Sequence, residues 1–461
     1  MVEMIVSSIE TEADPGILGI KRKKCINWDI WEPIIKLVVV LLGFAILGIA
    51  LERGILFNWD FHRLLKMKSP IFKYIFMINS FVFISALVFR TYLWFKYRPY
   101  DSAKIKSWPS ITVLIPAYNE GETIYETICS TAACDYPQGK LKIIAVDDGS
   151  KDDTYSYMVK GRERFPKMVE LIRFDKNRGK RQGIYQAFKN STSDYFITVD
   201  SDTRLEPNAI KELLTPLILN PRLGAVTGKI KIWNSDANIY TKMLKANFAM
   251  AFDFTRAIQS TFSTVFCTSG AFTAYRSSIV RQVINDWMNQ EFLGRRCTYG
   301  EDRSLANHIL RTGYGTAFQR SAIAFTKVPE KFVIVLKMLT RWARSNIRES
   351  IIFSRLMFNR NRRGNYILPF FEFFSTIAIV FLHIIVFYYF LFAGFINGDF
   401  IIRTFAYTIL FGFFYMLYYI RIEGTKDFPY ILLFSLFNSV FMVWIFTTAS
   451  LTITKKSWST R

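Results

Sequence analysis

Asp200 and Asp202 stand two residues apart at the end of a short β-rich run, residues 195–199. A strand's period of two predicts that both carboxylates point the same way. Hard divalent cations take oxygen ligands and often share them with substrate phosphates, so this Asp-Ser-Asp could hold Mg2+ or Mn2+ on a diphosphate. By itself it is more often an acidic strand-to-turn junction. A second acidic pair, Asp147-Asp148, closes an earlier apolar run. It forms a plain turn with Gly149-Ser150, or one of its carboxylates accepts hydrogen bonds from a base or ribose. Between the two pairs, Lys180 and Arg181 could balance phosphate charge, or belong to a solvated basic loop. Glu301-Asp302 precedes a helical stretch at 304–310. It interacts favourably with the helix dipole there, or one carboxylate serves as general base beside an acceptor hydroxyl. Arg341-Trp342 offers a phosphate-pairing guanidinium and an apolar face on which a sugar ring can stack; the other reading is a tryptophan at a membrane interface.

These groups need a scaffold. From Pro109 onward, β-rich runs at 111–115, 141–146, 171–174 and 195–199 alternate with helical stretches at 124–134 and 183–189. That alternation predicts an α/β domain with a largely parallel sheet. Ligands of such sheets bind beyond the carboxyl ends of the strands, where Asp147, Asp148, Asp200 and Asp202 fall. The domain runs over 99–328. Before it lie a polar tail (1–32) and two apolar stretches within 33–98, the first at 34–51 and the second at 71–95, each suited to a membrane helix. After it, 329–364 repeats apolar residues at helical spacing among Lys and Arg, as an interfacial helix does; a surface helix of the α/β domain fits as well. Residues 365–461 hold three more apolar runs, 367–393, 402–419 and 429–453. Basic residues at both ends of the last, with Pro429 and Asn438 in it, predict a re-entrant hairpin.

Composition agrees with lipid contact. In a chain of 461 residues, 51% are hydrophobic and 17% aromatic, rich for a soluble enzyme. The net charge of +22 allows nucleic acid, an anionic membrane or an acidic substrate as partner. Its placement beside the apolar runs, at Lys21-Arg22-Lys23-Lys24 and at Arg360, Arg362 and Arg363, marks their cytoplasmic ends. No nucleic-acid-binding motif appears, so nucleic acid is not an expected partner. The five cysteines show neither a CxxC pair nor zinc spacing, consistent with a reducing cytosolic setting for the soluble part. The first apolar run starts too late and is too long for a cleaved signal peptide, which predicts an uncleaved anchor.

Taken together and in this order, the segments resemble the family-2 processive glycosyltransferases, a group with cellulose synthase catalytic subunits, chitin synthases and hyaluronan synthases. The resemblance covers residues 33–461. Phe292 to Leu305 (FLGRRCTYGEDRSL), Lys231-Ile232-Trp233-Asn234, Ser269-Gly270 and the terminal Trp458-Ser459-Thr460-Arg461 look most like hyaluronan synthases. Gly300-Glu301-Asp302-Arg303 and Arg341-Trp342-Ala343-Arg344-Ser345 also look like chitin oligosaccharide synthases of nodulating bacteria. The resemblance implies a GT-A-like nucleotide-sugar domain with a mixed, mainly parallel sheet, fused to transmembrane and interfacial helices. It implies a multi-pass plasma-membrane enzyme with a cytoplasmic catalytic domain, bound Mn2+ or Mg2+, and UDP-GlcNAc, UDP-GlcUA, nascent polysaccharide and membrane lipids as partners. Asp302 would be the catalytic base and Asp202 the metal ligand. Tyr118, Glu120, Asp147, Asp148, Lys180, Arg181, Asp200, Arg341, Trp458 and Arg461 would bind the nucleotide sugar. Ser269, Gly270, Cys297 and Trp342 would border the acceptor. Two departures stand out: Met338 replaces the family's usual Gln, and a thioether cannot replace an amide's hydrogen bonds; Ser459 replaces a Gly in the terminal motif.

Overall fold

The computed structural model describes residues 28–52, 70–357, 367–394 and 398–455. Its centre is an eight-stranded sheet in the order β3-β2-β1-β4-β7-β6-β8-β5, the strands of this sheet numbered in chain order. The half formed by β1 (Ile111–Ala117), β2 (Leu141–Asp147), β3 (Val169–Arg173) and β4 (Tyr195–Val199) is parallel. β1 and β4 are buried along their whole length, which explains why they read as continuous apolar runs. Alternate β1 residues face opposite layers. Ile111, Val113 and Ile115 pack with Ile124 and Ile128 of α3 (Thr123–Ala132) and Leu213 of α6 (Ala209–Leu219). Leu114 packs with Ile184 and Phe188 of α5 (Lys180–Lys189), Trp287 of α9 (Ser277–Met288) and Ile309 of α10 (Glu301–Arg311).

The other half breaks the parallel pattern. β7 (Phe272–Arg276) runs antiparallel to both β4 and β6 (Leu223–Ile232). β8 (Gly315–Thr326) pairs parallel with β6 and antiparallel with the short β5 (Thr203–Leu205). The sheet is therefore mixed, with parallel pairings the more numerous. The register Val199↔Phe272 sets the residues just before β7 beside those just after β4. That single pairing brings Gly270 to Asp200.

Helices occupy the apolar stretches on either side of the domain: α1 (Trp28–Glu52) and α2 (Pro70–Lys96) before it, α12 (Ile367–Gly394), α13 (Gly398–Glu423) and α14 (Tyr430–Leu451) after it. Among the described residues, two helical stretches are long and apolar enough to cross a membrane, Phe405–Glu423 and Tyr430–Leu451. Leu41, Phe44, Phe81, Val88, Phe381, Leu417 and Trp444 leave their side chains exposed. The expected re-entrant hairpin at 429–453 is not formed. α14 is one continuous helix of 22 residues, with Pro429 at its N-cap. At that place proline has no lost hydrogen bond to break the helix, and Asn438 alone does not interrupt it. The amphipathic stretch is one long helix, α11 (Phe332–Met357), whose Val335, Met338, Leu339 and Ala343 enter the core of the α/β domain.

Candidate active site

The site is organised around one lysine. The Asp148 carboxylate, just beyond β2, accepts the backbone N–H groups of Arg178 at 2.7 Å and Gly179 at 2.8 Å. Those bonds fix the loop that leads into α5, whose first residue is Lys180. The Lys180 ammonium pairs with the Asp200 carboxylate, and with Glu301 Oε1 at 2.9 Å. Gly270 lies against this junction. A Cβ there would sit 2.8 Å from the Lys180 Nζ, 3.5 Å from Asp200 Oδ1 and 3.6 Å from Glu301 Oε1. A side chain there would press on the ammonium and shift it from its two carboxylates.

Asp302 sits in the first turn of α10, half-buried. Its Oδ1 accepts the Arg303 N–H at 2.7 Å; its Oδ2 receives the Gly270 N–H at 3.3 Å and the Cys267 thiol at 3.8 Å. Burial raises the Asp302 pKa, and the neighbouring Glu301 charge raises it further, against Lys180. Glu301 goes the other way. Burial pushes it up, but the Lys180 charge and hydrogen bond, helped by Arg341, bring it down to about 2. Two adjacent carboxylates whose environments drive their proton affinities apart are the pattern expected of a fixed anion beside an acid–base group.

The approach of α11 completes the site. Gly300 has φ +70, and a Cβ there would lie 1.9 Å from the Ser345 Oγ. Only glycine meets both the left-handed backbone and the contact with α11. Arg341 is near enough to act on Glu301. Trp342 is half-buried, with ring centroids 6.0 Å from Phe248 and 6.1 Å from Phe252.

The remaining expected residues divide. Tyr118 and Glu120 lie on the loop after β1. The Glu120 N–H is accepted by the Thr154 hydroxyl at 2.7 Å, and the Asn119 N–H by the Ser150 hydroxyl at 3.0 Å, so this loop borders the one after Asp147-Asp148. Asp147 is buried, accepts the Ser150 N–H at 2.9 Å and lies 3.3 Å from the Arg173 Nε. Ser269 is buried, its N–H donating to the Thr227 hydroxyl at 3.2 Å. Trp458 and Arg461 lie outside the described residues.

Three expectations need correction. The carboxylates of Asp200 and Asp202 do not point the same way. β4 ends at Val199 and a turn follows, closed by the Thr203 N–H on the Asp200 carbonyl at 3.0 Å. Asp200 then faces Lys180, while Asp202 Oδ1 accepts the Thr326 hydroxyl at 3.1 Å. Arg181 is 4% exposed and packs beneath the site, its guanidinium 4.9 Å over the Trp287 ring and donating to the Trp287 carbonyl at 2.7 Å. Consecutive residues of a helix diverge by about 100°, so Lys180 and Arg181 cannot face one phosphate together. Cys297 is buried in a recess with Tyr299, Arg348 and residues 453–455; the cysteine that reaches Asp302 is Cys267. Its place, three residues before Gly270, was the available signal.

Residues 112–284 match the profile described as Glycosyl transferase family 2. The chain carries a family 2 glycosyltransferase domain. It is 30% identical over 263 residues to an N-acetylglucosaminyltransferase of Azorhizobium caulinodans, covering 57% of this chain and 66% of that one. It is 31% identical to hyaluronan synthase 2 of Xenopus laevis, covering 56% and 53%. To human hyaluronan synthase 3 it is 32% identical, covering 50% and 44%. Its alignments thus span about half to two thirds of the length of these relatives. Among solved structures, a mannosyltransferase of Pyrobaculum calidifontis in complex with GDP-Man and Mn2+ superposes with a TM-score of 0.55 at 17% identity, over 79% of this chain and 97% of that one. At that identity the likeness establishes the fold of the family 2 domain alone.

Proposed function

We propose that the chain is a processive, inverting β-glycosyltransferase that polymerises UDP-GlcNAc and UDP-GlcUA, as a hyaluronan synthase does, and passes the nascent polysaccharide across the membrane. The observation that carries this reading is the Lys180 bridge: one ammonium joins the Asp200 end of β4 to the Glu301-Asp302 start of α10. A diphosphate pole and a base pole then share one cleft. Tyr118, Glu120, Asp147 and Asp148 flank the uridine, and Lys180 and Arg341 face the diphosphate. Ser269, Gly270 and Trp342 border the acceptor sugar. Asp302 takes the proton of the acceptor hydroxyl as that oxygen attacks the anomeric carbon and the bond to UDP breaks. A raised pKa suits it to this role.

Asp202 is a hard oxygen donor on the partly exposed turn after β4, a donor that fits Mn2+ or Mg2+ completed by diphosphate oxygens, while Asp200 turns to Lys180. Asp202 would hold the ion, which when bound would offset charge on the leaving diphosphate. We assign residues 33–98 to two spans, 99–328 to a cytoplasmic catalytic domain, 329–364 to the membrane interface and 365–461 to further spans ending in a terminal loop, in a multi-pass plasma-membrane protein. The exposed apolar side chains of α1, α2 and α12 to α14 support this arrangement.

A chitin-type synthase using UDP-GlcNAc alone is the competing reading, supported by the equal likeness to N-acetylglucosaminyltransferases. A single transfer to a lipid carrier is the third. Membranes holding the chain are incubated with each UDP-sugar singly and with both. Polymer only with both supports the first reading. Polymer from UDP-GlcNAc alone selects the second, and a single-sugar lipid product the third.

A further inference from the structure

The turn that carries Asp302 is gripped by a buried polar network that no step above uses. Glu349, on α11, is 1% exposed. Three donors converge on its carboxylate: Gln290 Nε2 at 3.1 Å, Asn307 Nδ2 at 3.0 Å and Arg348 Nε at 3.0 Å. Each of those partners holds the segment around the base. Arg348 donates through Nη2 to the Tyr299 carbonyl, and its guanidinium lies 4.7 Å over the Tyr299 ring. The Gln290 carbonyl accepts the Cys297 N–H at 3.0 Å, and its side-chain oxygen accepts the Ser304 hydroxyl. Asn307 belongs to α10 itself and donates also to the Glu349 carbonyl at 3.1 Å. One carboxylate thereby ties together the residues before Asp302, the helix after it, and the helix that brings Arg341 and Trp342.

We propose that Glu349 is a positioning residue, which holds the Gly300-Glu301-Asp302 turn at the geometry the proton transfer needs. The inference rests on the reading of Asp302 as the base. Among the described residues all three hydrogen-bond partners of the Glu349 carboxylate are donors, so an ionised acid satisfies them together. An amide in its place turns an NH2 group toward at least one donor, and that buried N–H loses its side-chain acceptor. The turn would then relax. Displacing a reacting group by about 1 Å costs on the order of a hundredfold in rate, while the nucleotide contacts at Lys180 and Asp148 stay in place.

The test uses the purified full chain in lipid nanodiscs, with UDP release for turnover and calorimetry for UDP affinity. Glu349→Gln is expected to lower kcat about a hundredfold with donor KM and UDP affinity unchanged, and Glu349→Asp to restore part of the loss. Wild-type kcat in Glu349→Gln overturns the proposal, and so does a fall in kcat matched by equal losses of UDP affinity and thermal stability. Where Glu349→Gln does not fold, Arg348→Lys carries the test. Lysine keeps the charge beside Glu349 but cannot also span to the Tyr299 carbonyl. The same split between kcat and affinity supports the proposal, and unchanged kcat rejects it. Asp302→Asn is run alongside: if it is inactive while Glu349→Gln is fully active, only the positioning role falls. If Asp302→Asn itself turns over normally, the base assignment falls and the positioning role with it.

Discussion

Asp147-Asp148 and Glu301-Asp302 are both adjacent acidic pairs at the edge of secondary structure, and they are put to opposite uses. In the first, the hydrogen bonds come from backbone: Asp148 takes the N–H groups of Arg178 and Gly179, and Asp147 that of Ser150, with the exposed Arg173 guanidinium 3.3 Å away. These bonds shape loops. In the second, Lys180 holds Glu301 as a fixed anion, while Asp302 keeps a raised proton affinity with Gly270 and Cys267 on one oxygen. The comparison teaches that an acidic pair becomes chemically differentiated when a largely buried cation from elsewhere in the chain sits on one member; the exposed Arg173 beside Asp147 is screened by solvent. Backbone donors spread over both members yield architecture instead.

The contrast can be broken at four points, in descending order of effect. Asp302→Asn should reduce turnover about a thousandfold, within the usual range for removal of a general base, and keep UDP affinity; activity near wild type would end the distinction between the pairs. Lys180→Met leaves Glu301 buried without its cation and should cost about 3 kcal/mol in denaturant unfolding at neutral pH. The deficit should shrink on acidification. In the native chain the depressed Glu301 pKa makes the Lys180 pair fully stabilising above the ordinary carboxylate range, and that contribution is lost as pH falls toward about 2. Asp302 has the opposite sign: its raised pKa costs stability when ionised, and that cost is relieved as pH falls. Because a base must be deprotonated to act, the acid limb of kcat/KM should lie above the ordinary aspartate range and move to higher pH in Lys180→Met. A pH–rate profile with an unmoved limb would detach Lys180 from the base.

The third point is architectural. Asp148→Asn replaces one acceptor oxygen by a donor facing the Arg178 or Gly179 N–H, and should cost about 2 kcal/mol. Its rate loss should track weaker UDP binding, with no change in the acid limb. A shifted limb would mean that the first pair also tunes protons. The smallest effect is expected at Met338. Met338 is 6% exposed in the apolar core beside Val335 and Leu339, so Met338→Gln buries an amide and should cost about 1 kcal/mol, read by thermal unfolding. A gain in rate or product length would instead place this position in the acceptor site.

Much of the parallel half was legible. β1, β2 and β4 are apolar runs bounded by turn residues, and each ends close to where the pattern breaks, at Pro116, Asp147 and Asp200. The antiparallel insertion of β7 was not, because a five-residue strand paired across the sheet carries no local mark of its register. Nor was the difference between Lys180 and Arg181. Adjacent basic residues look alike until a helix starting at Lys180 sends one into the cleft and the other onto Trp287. The resemblance pointed to Cys297 alone, whereas the cysteine within reach of Asp302 is Cys267.

The sequence by itself determined the alternation of strands and helices in the parallel half, the acidic ends of β2 and β4, and the carboxylates that open α10. Periodicity and turn chemistry act over a few residues, and those features need no more. Only the tertiary structure decided that a single ammonium would join two of those carboxylates, that Glu301 rather than Asp302 would take its charge, and that Glu349 would bind the surrounding turn. Such outcomes depend on burial and on partners far along the chain, and a side chain's proton affinity follows from what finally surrounds it.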